Sequence, residues 1–365
     1  MRVGTDGLKL PEAAKRGPIG ALKLAHDLGA DGLFFRSMLD LSPSLDRGAL
    51  RAVRERADEL DMYLEAGVGK TNPFAMPEAP ELRAIGDGDV LLGFRRMMEA
   101  AAEIGVFELW SATANLKPHF FGRMAYDRFR TDVDWADQLA ATEKFLKKLA
   151  PIARDLGIHI NLETHEEITS FELVRLVEAV GPDVTGVVFD THNVLQRIEH
   201  PVWAARRLAP YVRQTHLKDG VAAYGPDGLV SQVRDFGTGM IDFAEIIPIL
   251  ASENPVLNFS LENQDMRDGP LIVHPVIEID NAHFLAGHPD LSAEEHEAFM
   301  DLVRSFDGMI ARGQRPGIEG FAKGPFNFEN VCANIRSGLS LVRDILVDAG
   351  LSPVITPLDE HVARG

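Results

Sequence analysis

Ile158-His-Ile-Asn-Leu-Glu-Thr-His165 is the first of four short apolar runs that each end in ionisable side chains. The others are Val187-Val-Phe-Asp-Thr-His-Asn193, Val212-Arg-Gln-Thr-His-Leu-Lys-Asp219 and Val256-Leu-Asn-Phe-Ser-Leu-Glu262. Read as strands, they set Glu163 with His165, Asp190 with His192 and His216 with Lys218 at i, i+2 spacing, so both members of each pair point to one face. Neighbouring strands then bring several ionisable groups to one place. That is more charge than a protein buries without a metal, a substrate or both.

Working outward, strand-length apolar runs alternate with amphipathic helical runs, the pattern of repeated βα units. The earlier strands are expected at 2–5, 32–36, 62–66 and 106–110, with helices over 19–28, 47–60, 90–104, 135–156, 170–180, 202–208 and 243–250. Eight such repeats imply a closed (β/α)8 TIM barrel, here one domain over 1–365, with its active site at the C-terminal ends of the strands. After Glu262 the pattern breaks into an irregular Gly- and Pro-rich insertion, 263–328, carrying His274, His283, His288 and His296. One helix, 292–310, is expected inside it behind Ser292-Ala-Glu-Glu, and a last helix, 328–349, closes the ring. The long connection 111–135, with Lys117, His119, Phe120, Phe121 and Arg123, reads as a lid.

Composition narrows the function. The formal net charge is −18, from 55 Asp and Glu against 37 Lys and Arg. Binding to duplex DNA uses a basic stripe to displace counterions, so nucleic acid is not an expected partner. No apolar run approaches the roughly 20 residues of a membrane span. The single cysteine, Cys332, excludes an internal disulfide and a cysteine-based zinc site. The N-terminus lacks a signal-peptide apolar region, and a cytoplasmic protein is expected.

Glu163, Asp190, His216 and Glu262 stand at the ends of four consecutive strands. Three carboxylates and an imidazole form a mixed O/N donor set suited to Mn²⁺, Mg²⁺ or Co²⁺. Caps and salt bridges at the barrel rim are the plainer alternative, but four such residues on successive strands favour a metal. His165 and His192 each lie two residues beyond a proposed ligand, placed to act as general base, substrate donor or ligand-orienting group. Lys218 can hold an oxyanion or pair with Asp190 or Asp219. Trp110, Lys117 and His119 are candidates for the substrate wall, with packing or solvation as the alternative. Phe236-Gly-Thr-Gly-Met-Ile-Asp242 lacks the Lys-Ser/Thr of a phosphate loop and a preceding apolar strand, and reads as a turn with Asp242 as a helix N-cap.

In this order and spacing, Leu162-Glu163, Phe189-Asp190-Thr-His192, His216-Leu-Lys218-Asp219, Gly237-x-Gly239-x-x-Asp242-Phe243 and Leu261-Glu262 resemble the xylose isomerase-like TIM barrel superfamily. It includes sugar isomerases, sugar epimerases and the endonuclease IV group. The resemblance implies a divalent metal, often Mn²⁺, held by Glu163, Asp190, His216 and Glu262. By likeness to the ketose 3-epimerases, Glu163 and Glu262 would move a proton beside a metal-bound carbonyl, and the metal would stabilise the enediolate. His165 stands where those epimerases usually carry an uncharged residue.

His165, the long segment after Glu262 and the opening Gly4-Thr-Asp-Gly-Leu-Lys-Leu-Pro-Glu12 are similar to the catalytic subunit of bacterial C-glycoside deglycosidases, which pairs with a small β-rich subunit. That resemblance implies a lyase: a 3-oxo C-glycoside loses its C2 proton and the aglycone leaves by C–C cleavage, with His165, or His119, assisting. This is the leading expectation, with a ketose 3-epimerase or sugar isomerase as the alternative. Glu163 and Glu262 are the bases in either case, and His192, Lys218, Trp110 and Lys117 line the substrate. If the small subunit exists, the histidine-bearing insertion is the expected contact. An abasic-site nuclease is disfavoured by the acidic charge, and a non-catalytic binding subunit by the complete ligand quartet.

Overall fold

The computed structural model describes residues 1–352 apart from 115, 118 and 264–274. Its strands are β1 (Val3–Asp6), β2 (Gly32–Phe34), β3 (Tyr63–Lys70), β4 (Glu108–Ala112), β5 (His159–Glu163), β6 (Thr185–Asp190), β7 (Val212–His216), β8 (Gly220–Gly225), β9 (Gly228–Val233) and β10 (Phe259–Leu261). Eight of them lie parallel in the order β10-β1-β2-β3-β4-β5-β6-β7. The sheet closes between β7 and β10, where the Leu217 N–H donates to Ser260 O and the Glu262 N–H to Leu217 O, both at 2.8 Å. The result is a (β/α)8 TIM barrel.

Local chemistry sets the helix limits. Ser170–Val180 begins with a capping box between Thr169 and Glu172 and buries Leu173, Leu176 and Val177 against the barrel. Trp135–Leu156 stops at Gly157, whose φ of 68° is left-handed and costs glycine little. Along each strand alternate side chains point into the barrel, which is why its interior forms layers. Near the floor, the Tyr63 ring fills the space beside Gly4 and Gly32; a Cβ on Gly32 would lie 2.2 Å from that ring. Above it Phe34, Trp110, Ala112 and Val188 form an apolar plug. The ends of the strands then carry the charged groups.

Several boundaries differ from those expected. The third strand runs on to Lys70 through a register shift between Gly67 and Gly69. A β-hairpin, β8–β9, stands between the seventh barrel strand and its helix, so an apolar strand does precede Phe236. It escaped notice because Gly220–Val233 lies next to the site residues and its alternation is short. The hairpin packs with the segment after 274 in a small core of its own: Val221, Ala223, Val230, Val276, Phe306 and Ile318. The insertion is more helical than expected, with Ala282–Ala286, Ala293–Ala311 and Ile318–Ala322. Of its histidines, His274 lies outside the described residues, while buried His288 and exposed His283 pack against Phe129. Among the described residues no helix is long and apolar enough to cross a membrane.

Candidate active site

β5, β6, β7 and the residue after β10 bring Glu163, Asp190, His216 and Glu262 together, with one donor atom from each lying within 4.8 Å of all the others. His216 sits between the two glutamates, its Nδ1 2.8 Å from Glu163 Oε1 and 3.6 Å from Glu262 Oε2. Lys218 joins them from two residues beyond the end of β7, its Nζ 2.7 Å from Asp190 Oδ2 and 3.1 Å from Glu262 Oε2. Of the two acids left open for it, Lys218 therefore takes Asp190. Asp219 instead accepts backbone N–H groups of Gly220, Thr238 and Gly239 and ties down the turn before the next helix.

Neighbouring strands hold these groups in place. Trp110 Nε1 donates to Glu163 Oε2 at 2.9 Å, and the Phe34 ring meets His216 edge-on at 4.4 Å. The remaining Glu262 oxygen, Oε1, accepts from Arg36 Nη2 at 2.8 Å and lies 3.5 Å from Lys9 Nζ. Arg36 in turn reaches Asp6 at 3.2 Å. Sequence reasoning missed Asp6, Lys9 and Arg36, although each follows or ends an early strand and so occupies the same rim position that drew attention to the quartet.

His165 lies on the opposite wall. Its Nε2 is 4.0 Å from Glu163 Oε2, and its Nδ1 is flanked by Glu166 at 2.7 Å and Glu167 at 2.8 Å. Glu167 is also hydrogen-bonded by Thr113. The two adjacent glutamates were likewise not singled out from sequence, because a charge run after a strand usually marks a solvated loop.

Three residues expected against the substrate make the following contacts. His192 turns its Nε2 to Ser231 of the hairpin at 2.9 Å and is buried, while its backbone N–H donates to Asp190 Oδ1. Lys117 is ion-paired to the buried Asp127 within its own connection. His119 is exposed, and among the described residues no hydrogen bond or ion pair ties it to the quartet. The connection itself is anchored through the Tyr126 hydroxyl to Gln196 at 2.7 Å and through Arg123 to Glu278 of the insertion.

Burial and neighbouring charge set the protonation states. Burial pushes Asp190 up to about 6 against the pull of Lys218. Glu262 is buried too, but Lys218, Arg36 and Lys9 outweigh that and hold it well below the carboxylate range. Burial opposes a charged His165, and Glu166 and Glu167 overcome it and raise the imidazole; the same imidazole holds Glu166 down at about 2 despite burial. His192 is driven down to about 3 by burial and by Lys218. Neighbouring carboxylates thus favour the charged form of His165, and of His216 beside Glu163, whereas His192 is held neutral.

The quartet fits a divalent cation. Hard oxygen donors at about 2.0–2.6 Å from an ion stand roughly 3–5 Å from one another, which is the spread seen here. His216 turns its Nδ1 toward Glu163 and Glu262, and buried Asp190 completes a convergent set of one nitrogen and three carboxylates whose charge a divalent cation would balance. Glu163, Asp190, His216 and Glu262 would hold the ion, and it would supply a Lewis acid for a carbonyl oxygen.

Residues 22–307 match the family described as Xylose isomerase-like TIM barrel. YihM of Escherichia coli K12, an uncharacterized protein, is 30% identical over 115 residues, which cover 30% of this chain and 35% of that one. The 2-epi-5-epi-valiolone 7-phosphate 2-epimerase of an Actinoplanes species is 28% identical over 258 residues, 68% of this chain and 83% of the relative. The chain thus aligns with about a third of the first relative and most of the second. Among solved structures, a D-psicose 3-epimerase determined in the presence of D-fructose superposes with a TM-score of 0.61 at 18% identity, covering 95% of this chain and 99% of that one. At that identity the likeness speaks to the fold.

Proposed function

The chain belongs to the xylose isomerase-like TIM barrel family, and from that premise we propose that it is a divalent-metal-dependent enzyme that moves a proton at the carbon beside the ketone of a sugar. Epimerisation or isomerisation is the outcome supported best. The single observation that carries it is the pair Glu163 and Glu262, which flank His216 with one oxygen each turned toward it. Two carboxylates on either side of one bound carbon allow removal of a proton by one and delivery by the other. Mn²⁺, Mg²⁺ or Co²⁺ suits the donor set, and when bound it would polarise the ketone and acidify the neighbouring C–H. Trp110 and Arg36 hold the two glutamates in position, and burial of the quartet excludes water from the charges. The names of the epimerases above lend this reading further support.

Elimination is the second reading, favoured by His165. A charged imidazole 4.0 Å from Glu163 is placed to protonate a leaving group after the same proton abstraction. C–C cleavage of a 3-oxo C-glycoside, and the small partner subunit that goes with it, rest on sequence resemblance alone.

Proton exchange in D₂O separates the two. Mn²⁺-loaded protein is offered ketohexoses, a ketose phosphate and a 3-oxo C-glucoside of a flavone. Deuterium entering a ketose beside its carbonyl, with no bond cleavage and with loss of exchange in EDTA, supports epimerisation. Release of the flavone, abolished by His165→Ala, supports elimination. Absence of exchange with every substrate, with metal demonstrably bound, refutes the shared proton-transfer step.

A further inference from the structure

Arg36 does more than the mechanism above asks of it. Its Nη2 is spent on Asp6 and Glu262 at 3.2 and 2.8 Å, and its Nε is buried without a partner. Nη1 has no partner among the described residues, and the side chain is 27% exposed whereas Glu262 beside it is 4% exposed. A guanidinium held by two carboxylates, its side chain partly exposed beyond the end of β2, has one arm, Nη1, left to offer. Such a group is worth most to an anionic oxygen, since charge-assisted hydrogen bonds are roughly twice as strong as neutral ones and the planar fork matches carboxylate and phosphate.

The two walls of the mouth differ in charge balance: Asp6 and Glu262 offset Arg36 and Lys9, whereas Glu166 and Glu167 outnumber His165. Arg36 and Lys9 lie on the β1–β2 side, and Glu166 and Glu167 surround His165 on the β5 side. An anionic end is disfavoured at the second wall and can hydrogen-bond the uncommitted Arg36 arm at the first, so the arrangement orients the substrate.

We infer that Arg36 is a substrate-binding specificity residue, and that the natural substrate is a keto sugar bearing an anionic oxygen substituent, a phosphate or a carboxylate, seated against the β1–β2 wall. This rests on the reading of the site as a keto-sugar site. No bond is made or broken in the step; the anionic group exchanges water for the guanidinium.

Calorimetric titration of the Mn²⁺-loaded protein with a ketohexose, its 6-phosphate and the corresponding keto-uronate tests it. At least one anionic ligand should bind about tenfold or more tightly than the neutral sugar, a preference that weakens as salt rises. The tighter of the two identifies phosphate or carboxylate as the source. Arg36→Met should bring the anionic-to-neutral ratio close to one, and Arg36→Lys should restore part of it. Using the ratio cancels any general loss from a displaced Glu262. Equal binding of neutral and anionic sugars by the unaltered protein, or a ratio that Arg36→Met leaves intact, overturns the inference while leaving the keto-sugar reading standing. If no keto sugar of any charge binds, both fall together.

Discussion

The strand ends of the barrel and the connection from β4 to the helix Trp135–Leu156 both carried candidate residues, yet they behave differently. Glu163, Asp190, His216 and Glu262 are each at most 3% exposed and are clamped by donors from adjacent strands. Lys117 and His119, on the connection, turn to a local ion pair and to solvent. A parallel barrel fixes where a strand ends to within a residue, so chemistry placed there converges whatever the loops do. A loop residue has no such constraint, and its position depends on contacts that no local pattern encodes.

The comparison breaks first, and most heavily, at the quartet. His216→Ala or Asp190→Asn should lower divalent-metal affinity by about 100-fold or more, since second-shell changes alone cost 10- to 100-fold. Metal content after dialysis and turnover with restored metal both read this. An intact affinity in either variant would mean that the strand ends do not act as one site. Next in size is Trp110→Phe, which keeps the ring but removes the N–H on Glu163 Oε2. We expect kcat to fall about tenfold with little change in KM, because the indole positions a glutamate and the plug keeps its apolar filling.

A smaller effect lies beneath the quartet. Burial raises Glu65 to about 7 although Ser260 Oγ donates to it at 2.8 Å. A carboxyl whose folded value lies above its unfolded one, near 4.5, binds more protons in the native state, so stability declines as pH climbs from about 4.5 to about 7. Glu65→Gln should flatten that decline and raise Tm at pH 8 by a few degrees while leaving pH 4 nearly unchanged. Thermal unfolding of both proteins across that range checks the sign; a Tm at pH 8 that drops in the variant would show that the carboxylate is needed charged. Smallest of all, His119→Ala should change kcat/KM by less than about threefold. A loss comparable to that of His216→Ala would erase the distinction between strand end and loop.

Much of this was legible in the sequence for physical reasons. The helix stripes report a period of 3.6 directly, and Trp135–Leu156 and Ser170–Val180 fall where they were expected; the i, i+2 pairs do not hold as strand pairs, because β5, β6 and β7 end at Glu163, Asp190 and His216 and leave His165, His192 and Lys218 beyond them. The quartet was readable because all four members end strands. Arg36 and Lys9 were not, because the early strands are short and end in residues that resemble ordinary surface charge. His192 lies beside Asp190 as its spacing suggested, but the hairpin whose Ser231 meets its Nε2 was not legible. The orientation of a side chain past a strand end is a tertiary fact.

Metal stoichiometry tests the central claim most directly. Protein stripped with EDTA, dialysed and titrated with Mn²⁺ should take up one ion per chain, with anomalous diffraction placing it among Glu163, Asp190, His216 and Glu262. Glu262→Gln and His216→Ala should weaken that uptake while the fold, read by circular dichroism, persists. No uptake at millimolar Mn²⁺, Mg²⁺ or Co²⁺, or an ion located elsewhere with the quartet left bridged by Lys218, would contradict it.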